Sequence, residues 1–559
     1  MNTFLPYRVI STMLYLSTIL LSVFITASLI PIMIKLAEKY HMVDFPNPRK
    51  VHTIPIPRIG GLAMALGAAV PIVLWTATDA FVKAYLAGAG ILVLFGLVDD
   101  MKGLGYKAKF TGQIIAALVV VFYGGLRISS LGTLLPGAML LPEWFAVALS
   151  IVVVVGVTNA INLSDGLDGL AGGISLLCFC CIGYLAYLEG NSSVVLLSLA
   201  LAGAIFGFLR FNTHPASLFM GDTGSQLLGF SAVVLAIKIT QGDTPLSPVL
   251  PLIILGFPVL DTLTVMVERI REGRSPFSPD KNHFHHRLIR LGLYHAEAVF
   301  IIYLIQAMMI ILAILFKYYN DWALLTFYAA FSALIISAFV IADRTGFQFQ
   351  RYPLIDDTVK GRLRRIKDKH WVIRISFGIS KISIPLLLLL SCLIPAKIPG
   401  YVSIIVICFG LLIVVVRLFA KKHMGFCLRF VIYLTVPLVL YLIEEGKAAW
   451  ISEKMFIMYH LSFGIIAFFV LLTVKFSRRT KGFRMTTMDF LIIFIAVVVP
   501  NLPDQLIQSQ HLGLLTVEVI VLLFSYEVLI TEFREKFNAL TASTLIALIL
   551  IGIRGVTGF

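Results

Sequence analysis

Long apolar runs recur along the whole chain, and each is close to the roughly 20 residues that a helix needs to cross a lipid bilayer. Of the 559 residues, 59% are hydrophobic and only 13% are charged. A water-soluble fold of this length could not bury so much apolar surface. The sequence therefore predicts an all-α polytopic membrane protein. Its first apolar run is too long for a signal-peptide core, so we expect it to remain as a span.

Hydropathy divides the chain into two groups of spans, joined by a basic, polar segment. We predict about eleven transmembrane helices in residues 1–345, a cytoplasmic linker over residues 346–380 and about seven more helices in residues 381–559. The first group is predicted near residues 10–36, 60–78, 81–98, 110–126, 142–161, 168–188, 194–211, 219–238, 248–267, 296–317 and 321–342. The second group is predicted near residues 382–397, 400–418, 426–444, 456–475, 487–500, 512–531 and 539–555.

Basic residues collect in alternate connections between these spans. Lysines and arginines are dense after spans one, three and nine and in the linker, whereas "EGNSS" and "QGDTPLS" contain none. The positive-inside rule therefore puts the N-terminus outside and the basic connections in the cytoplasm. The same rule explains the net charge of +15 without nucleic acid as a partner.

The six cysteines lie in or beside apolar runs without zinc-site spacing, which indicates small buried side chains.

Two adjacent carboxylates close the third predicted span, in "ILVLFGLVDDMKGL". Asp99 and Asp100 point about 100° apart on a helix and cannot face one ligand equally. A solvated helix end would explain the pair as well as a binding site would. Carboxylates at a membrane edge are costly, however, unless they are paired or bind a metal ion.

Further oxygen donors follow in two glycine-flanked stretches. "NAINLSDGLDGLAGG" sets Asn162, Asp165 and Asp168 three residues apart, so a helix would place them on one side. "FMGDTGS" puts Asp222 between two glycines at the start of span eight, where helix capping alone would explain it. Together with the aspartate pair, these donors favour a hard cation, Mg²⁺ or Mn²⁺ in its place.

A histidine-rich segment, "DKNHFHHRL", supplies His283, His285 and His286 next to Arg287. No Cys or Glu accompanies the histidines at zinc-ligand spacing, so we expect them to donate to phosphate oxygens. A basic loop on the membrane surface is the alternative. Asp261 falls inside a predicted span. We expect it to hold residues of the site in position and not to act as a transport site.

All of these clusters lie on the predicted cytoplasmic side. Acids that gather around Mg²⁺, beside Lys, Arg and His for phosphate groups, predict phosphoryl transfer to a lipid at a membrane surface. The competing hypothesis is a carrier of a lipid or an anion. A carrier of anions gains nothing from five aspartates beside the phosphate path, so we favour an enzyme.

Five motifs, in order and with similar spacing, resemble the bacterial polyprenyl-phosphate N-acetylhexosamine-1-phosphate transferases, relatives of phospho-N-acetylmuramoyl-pentapeptide transferase. The resemblance covers roughly residues 10–345 and implies that N-acetylhexosamine-1-phosphate passes from a UDP-sugar to undecaprenyl phosphate, releasing UMP. It places the reaction on the cytoplasmic face of the bacterial inner membrane. The motifs are "RKVHTIPIPRIGG", "GLVDDMKGLGYKAKFTGQ", "NAINLSDGLDGLAGG", "FNTHPASLFMGDTGSQLLG" and "PVLDTLTVMVERIREGRSPFSPDKNHFHHRLIRLG".

The resemblance also implies roles for single residues. Asp222 and Asn162 would hold Mg²⁺ on the pyrophosphate of the UDP-sugar. Asp99 would bind or deprotonate the lipid phosphate, with Asp100 beside it near the metal. The other implied catalytic residues are Asp165, Asp168, His283, His285 and His286. The implied substrate contacts are Asn212 and Phe219 at uracil, together with Lys50, His52, Lys109 and Arg287.

The spacing His-x-His-His favours the N-acetylglucosamine branch of the family, because the muramoyl-pentapeptide branch usually carries three consecutive histidines. Relatives commonly end soon after the eleventh span, so residues 346–559 depart from the pattern. The sequence leaves three roles open for this extension: a homodimer surface, a docking site for a later glycosyltransferase, or a lipid-handling module.

Overall fold

A computed structural model describes residues 5–40, 42–45, 55–276, 278, 282–349, 371–476, 512–533 and 538–557. Within these ranges the chain is helical, apart from loops and a two-stranded antiparallel sheet of β1 (Val43–Asp44) and β2 (Ile56–Pro57). By length and composition, 13 of the helices could cross a membrane. The prediction of an all-α polytopic membrane protein is confirmed.

The chain forms two compact units that divide near residue 350. The second unit contains α14 (Trp371–Leu393), α15 (Gly400–Phe419), α16 (Met424–Glu445), α17 (Glu453–Phe476), α18 (Leu512–Phe533) and α19 (Asn538–Thr557). Helix α14 begins inside the predicted linker, because its first residues already follow a helical apolar pattern. The span predicted near residues 487–500 lies outside the described residues.

The described residues of the first unit form thirteen α-helices, of which α9 and α10 together form one predicted span and α11 is a short, largely buried helix. They are α1 (Leu5–Lys39), α2 (Gly60–Trp75), α3 (Ala80–Lys102), α4 (Tyr106–Leu118, continued by a π-helical turn, Val119–Tyr123), α5 (Glu143–Leu163), α6 (Leu170–Leu188), α7 (Ser192–Asn212), α8 (Gly221–Thr240), α9 (Leu250–Ile254), α10 (Gly256–Arg271), α11 (Phe284–Arg290), α12 (His295–Leu315) and α13 (Asp321–Thr345).

The ninth predicted span is broken at Leu255, between α9 and α10. Pro258 has no backbone N–H to donate to the carbonyl of Ile254, so the helical hydrogen bond is missing at this point. The Ile254 oxygen instead accepts from the Gln306 side chain of α12 at 2.7 Å. A polar side chain thus satisfies the backbone group that the proline leaves open, as the interior of a membrane protein requires.

Helices α6, α7 and α8 form the centre of the first unit. In their most apolar stretches, 83%, 78% and 94% of residues are buried, compared with 22% in α1 and in α13. The outer helices therefore present apolar side chains to lipid, whereas the central helices are enclosed by protein. The central position of α8 matters because its first turn carries Asp222.

Glycines allow two helices to approach the start of α8 at backbone distance. A Cβ on Gly96 of α3 would lie 2.5 Å from Thr223 Cα, and a Cβ on Gly61 of α2 would lie 2.2 Å from Gly224 N. No real side chain tolerates such contacts, so these crossings require glycine. They bring the ends of α2 and α3 onto the helix start that carries Asp222.

We expect Gly96→Ala to lower the unfolding temperature by several degrees, because the added methyl group must separate α3 from the Thr223 backbone. Gly90→Ala is the matched control on the same helix, since a Cβ there meets nothing within 4 Å. It should leave stability unchanged or raise it slightly through helix propensity. Thermal unfolding of the detergent-solubilised variants measures both changes. Equal stability of the two would contradict this packing.

Candidate active site

Asp100 of α3 caps the first turn of α8. Its Oδ1 accepts from the Asp222 backbone N–H at 2.9 Å, and its Oδ2 accepts from the Thr223 N–H at 3.1 Å and hydroxyl at 2.7 Å. A carboxylate is favoured here because the first-turn N–H groups lack helical partners and lie at the positive end of the dipole. Gly221 has a φ of +68°, and a Cβ on it would lie 2.4 Å from Asp100 Oδ2. Asp100 of α3 therefore caps α8. Asp222 does not act as the cap, although its position in the sequence would have allowed it to.

Lys109 of α4 joins the other two carboxylates of this cluster. Its ammonium lies 2.8 Å from Asp99 Oδ2 and also donates to Asp222. Asp99 additionally accepts from the Leu104 backbone N–H at 2.5 Å. Adjacent side chains on a helix point about 100° apart, so Asp99 faces Lys109 and Asp100 faces α8, as the helical geometry predicted.

The three carboxylates fit a divalent cation. One oxygen each from Asp99, Asp100 and Asp222 lies within 4.8 Å of the others. With all three ionised, the cluster and Lys109 together carry a charge of −2, which a divalent cation neutralises. Oxygen donors without nitrogen or sulfur suit Mg²⁺.

Asn162, the other metal ligand implied by the resemblance, lies at the end of α5. Its Oδ1 accepts from the Ser225 hydroxyl at 2.7 Å, one turn along α8 from Asp222. The structure therefore places Asn162 beside the start of α8, and its role as a metal ligand stays a prediction.

A turn, rather than a helix, carries Asp165 and Asp168. Helix α5 ends at Leu163 and α6 begins at Leu170, and Gly169 between them has a φ of +81°. A helix would have placed Asn162, Asp165 and Asp168 on one side, but the segment is not helical, so that placement does not apply. The glycines of this stretch favour a turn, and three-residue spacing alone does not take them into account.

Asp165 lies close enough to Asp222, Asp100 and Asp168 for their charges to act on its carboxyl group. Burial, together with these three negative charges and against the effect of Arg58, raises the pKa of the Asp165 carboxyl group to about 7. The side chain is half-buried. Asp165 therefore lies in a field that favours its protonated form.

Asn212 joins the Asp165 turn to the loop that precedes α8. Its Oδ1 accepts from the Gly169 N–H at 2.9 Å, and its Nδ2 donates to the Leu218 carbonyl at 2.8 Å. The side chain is buried, so both ends of the amide already have partners inside the protein. The contact of Asn212 with uracil stays a prediction, and the structure shows a second task, which is to hold the two loops together.

Phe219 anchors the same loop to the start of α2. Its N–H donates to the Pro57 carbonyl at 2.8 Å, and its carbonyl accepts from the Gly60 N–H at 2.9 Å. The ring is half-buried. Stacking of this ring on uracil stays a prediction. Lys50 and His52, predicted substrate contacts from the first motif, lie outside the described residues.

Asp261 of α10 orients the histidine segment. Its Oδ2 lies 2.9 Å from His283 Nδ1, and its Oδ1 accepts from the Phe284 N–H at 2.7 Å. Both His283 and Asp261 are buried. The structure thus places Asp261 behind the histidines, as expected from the sequence, and it fixes the start of α11.

His285 packs against the Asp165 turn. A Cβ on Gly166 would lie 2.2 Å from His285 Nε2, so glycine is needed for this contact. Burial lowers the pKa of His285 well below its usual range, and the neighbouring His286, His283 and His295 lower it further. His285 is therefore neutral at physiological pH. His286 is half-buried, with its ring 4.2 Å from that of His285.

Arg287 is buried and holds the histidine segment to α10. Its guanidinium pairs with Glu268, and its Nε donates to the Asn282 carbonyl at 2.7 Å. Its predicted contact with substrate stays a prediction. The geometry shows that Arg287 stabilises α11 from within the protein.

Two histidines at this site were missed by the sequence analysis. His214 Nδ1 lies 2.7 Å from Asp168 Oδ2, and the ring of His295 stacks on that of His214 with centroids 4.3 Å apart. One donor atom each from Asp168, His214 and His295 lies within 4.8 Å of the others. His214 stood inside a quoted motif, but nothing in its spacing pointed to Asp168, because the pairing depends on how two loops fold together.

Comparison with known proteins identifies the family. Residues 82–240 match the model of glycosyl transferase family 4. A probable undecaprenyl-phosphate N-acetylglucosaminyl 1-phosphate transferase of Bacillus subtilis is 38% identical over 324 residues, covering 58% of this chain and 89% of the relative. An undecaprenyl-phosphate alpha-N-acetylglucosaminyl 1-phosphate transferase of Escherichia coli K12 is 34% identical, covering 56% and 89%. A decaprenyl-phosphate N-acetylglucosaminephosphotransferase of Mycobacterium leprae is 37% identical, covering 48% and 75%.

The chain belongs to glycosyl transferase family 4. The resemblance that the five motifs indicated is thereby confirmed. The matched residues 82–240 include α3 to α8 and so contain the aspartate cluster, Lys109 and the Asp165 turn. Each alignment leaves more than a third of this chain uncovered.

The raised pKa of Asp165 predicts a pH-dependent gain of stability in Asp165→Asn. The folded chain keeps this proton up to about pH 7, whereas the unfolded chain loses it near pH 4, so wild-type stability falls as the pH rises between these values. Asparagine removes this loss. In metal-free buffer, the unfolding temperature of the variant should exceed that of wild type by a margin that grows from pH 5 to pH 8.

Asp243→Asn is the control for this measurement, because Asp243 is exposed in the loop after α8. It should differ from wild type by the same small amount at every pH. A margin for Asp165→Asn that shrinks toward pH 8 would contradict the assigned electrostatics.

Proposed function

We propose that the chain transfers N-acetylglucosamine-1-phosphate from UDP-N-acetylglucosamine to undecaprenyl phosphate and releases UMP. The reaction begins a cell-envelope glycan at the bacterial cytoplasmic membrane, with the active site facing the cytoplasm. The observation that carries this proposal is the cluster of Asp99, Asp100 and Asp222 around Lys109, in a chain whose family relatives carry N-acetylglucosaminyl 1-phosphate transferase names.

The location of the cluster supports a lipid acceptor. Asp99 and Asp100 occupy the last turn of α3, a helix long and apolar enough to cross the membrane. Lys102, Lys107 and Lys109 follow at once, and the positive-inside rule assigns such an end to the cytoplasm. A lipid phosphate at the membrane surface and a nucleotide from the cytoplasm can therefore both reach this end of the helix.

The reaction needs charge neutralisation more than proton transfer. An oxygen of the lipid phosphate attacks the phosphorus atom that bears the sugar, and UMP leaves with the electrons of the broken P–O bond. A phosphate monoester has a second pKa of about 6, so it is mostly ionised at neutral pH without a base. Bound Mg²⁺ would neutralise charge on the pyrophosphate. Asp99 and Asp222 are the side chains best placed to hold it, because Asp100 is occupied at the start of α8.

Lys109 has two effects in this scheme. It keeps Asp99 and Asp222 close together, and it sets a positive charge beside the place where the phosphates react. The Asp165 turn and the loop before α8, which Asn212 joins, line the rest of the site together with the histidine segment that Asp261 fixes. These supports hold polar groups in place before substrate arrives, which lowers the cost of reaching the transition state.

The alternatives lack comparable support. The relatives compared above carry N-acetylglucosamine in their names, and none of these names refers to a muramoyl-pentapeptide. A carrier would not need three carboxylates whose oxygens lie within 4.8 Å of one another. Two of the three relatives are named for undecaprenyl phosphate, which favours that acceptor over decaprenyl phosphate.

Transfer should require a divalent cation and Asp222. In detergent, purified protein with Mg²⁺ should convert radiolabelled UDP-N-acetylglucosamine and undecaprenyl phosphate into a lipid-linked product, and EDTA should abolish it. Asp222→Asn should lower the rate roughly 100-fold or more, because it removes a carboxylate from the cation site. Asp243→Asn, the exposed control, should keep the wild-type rate. Undiminished transfer in EDTA would contradict the role of the metal.

Lys109→Met should lower kcat by roughly 100-fold, through the loss of positive charge beside the reacting phosphates. Lys107→Met is the matched control, because Lys107 lies two residues away on the same helix with its side chain exposed. It should change kcat by less than about twofold. Steady-state kinetics at saturating Mg²⁺ measure both variants, and equal losses would point to a general surface-charge effect instead.

A further inference from the structure

The second unit brings an imidazole and two carboxylates together inside an apolar helical bundle. Glu444 lies at the end of α16, whereas His460 and Glu518 lie about two turns into α17 and α18. One donor atom from each residue lies within 4.8 Å of the other two. Three separate helices thus each contribute one ligand atom to the same point, near one end of the bundle.

Aromatic and buried groups surround this cluster. His460 Nδ1 is hydrogen-bonded to Glu518, which is only 2% exposed. The ring of Phe456 packs edge-on against His460 with centroids 4.3 Å apart. Tyr459, the neighbour of His460, shares a hydrogen bond of 2.8 Å with Ser391 of α14. Glu518 is thus buried and His460 and Glu444 are half-buried, and limited exposure to water strengthens the attraction between the carboxylates and a cation.

The two carboxylates of the cluster carry a charge of −2 when both are ionised. A single divalent cation would neutralise both charges at once, and the imidazole beside them would supply a third ligand atom.

The donor set selects among divalent cations. Mg²⁺ and Ca²⁺ prefer oxygen ligands alone, whereas Zn²⁺ binds His nitrogen and Glu oxygen and often uses three protein ligands. We propose that Glu444, His460 and Glu518 form a Zn²⁺ site in the second unit. Binding would tie α16, α17 and α18 together at this end. The aspartate cluster of the first unit, with oxygen donors only, would remain the Mg²⁺ site.

Zinc binding by the full-length protein tests this proposal. The protein is purified in detergent without a histidine tag, stripped with a chelator and titrated with Zn²⁺ against a fluorescent zinc indicator, in excess Mg²⁺. We expect one high-affinity Zn²⁺ per chain and a rise in unfolding temperature upon binding. Glu518→Gln and His460→Asn should each weaken binding by roughly 100-fold or more, since loss of a supporting contact alone costs 10–100-fold.

Two control variants locate the zinc. Glu453→Gln alters an exposed carboxylate at the start of α17 and should leave Zn²⁺ affinity unchanged. His214→Asn disrupts the Asp168–His214–His295 group of the first unit and should likewise have no effect. The proposal is overturned if wild type binds no Zn²⁺ at micromolar concentrations, or if His214→Asn rather than Glu518→Gln removes it.

X-ray absorption at the zinc edge of the wild-type protein provides a test that needs no variant. One imidazole nitrogen with oxygen ligands is expected. Sulfur ligation would contradict the site, as would two imidazoles.

Discussion

Ionised carboxylates at the end of an apolar helix bundle must have their charge compensated, and this requirement organises the first unit. The first-turn N–H groups of α8 compensate Asp100, and Lys109 compensates Asp99 and Asp222. Both arrangements need α3 to touch the start of α8. Glycine at positions 96 and 221 makes that contact sterically allowed. The same close packing leaves a net negative charge at the membrane edge when the three aspartates are ionised, and in the proposed function this charge would attract a divalent cation and, through it, phosphate groups.

The rest of the site consists of loops held by buried polar contacts. Asn212 joins the Asp165 turn to the loop before α8, and Asp261 fixes His283 at the start of α11. His285 then packs on Gly166 of that turn. Each of these supporting residues lies within one of the five motifs. Much of the site therefore depends on buried side-chain contacts that fix the positions of its loops.

Hydropathy alone located the long helices that the structure describes, because a membrane span must be apolar along its length and must satisfy its own backbone. The two directions of Asp99 and Asp100 also followed from helical geometry. Pairings between distant segments could not be predicted in this way: the contact of Lys109 with Asp222 and that of His214 with Asp168 depend on how helices and loops pack. The predicted spans near 142–161 and 168–188 left Asp165 in a connection, but the turn itself and its contacts depend on how the loops pack.

The central claim is that a sugar phosphate, and not the sugar alone, moves to the lipid. The most direct test uses UDP-N-acetylglucosamine with radiophosphorus in the β-phosphate, together with undecaprenyl phosphate and purified protein. Our account predicts that the label enters the lipid product and that UMP appears in equal amount. Transfer of the sugar without the label, with release of labelled UDP, would contradict it.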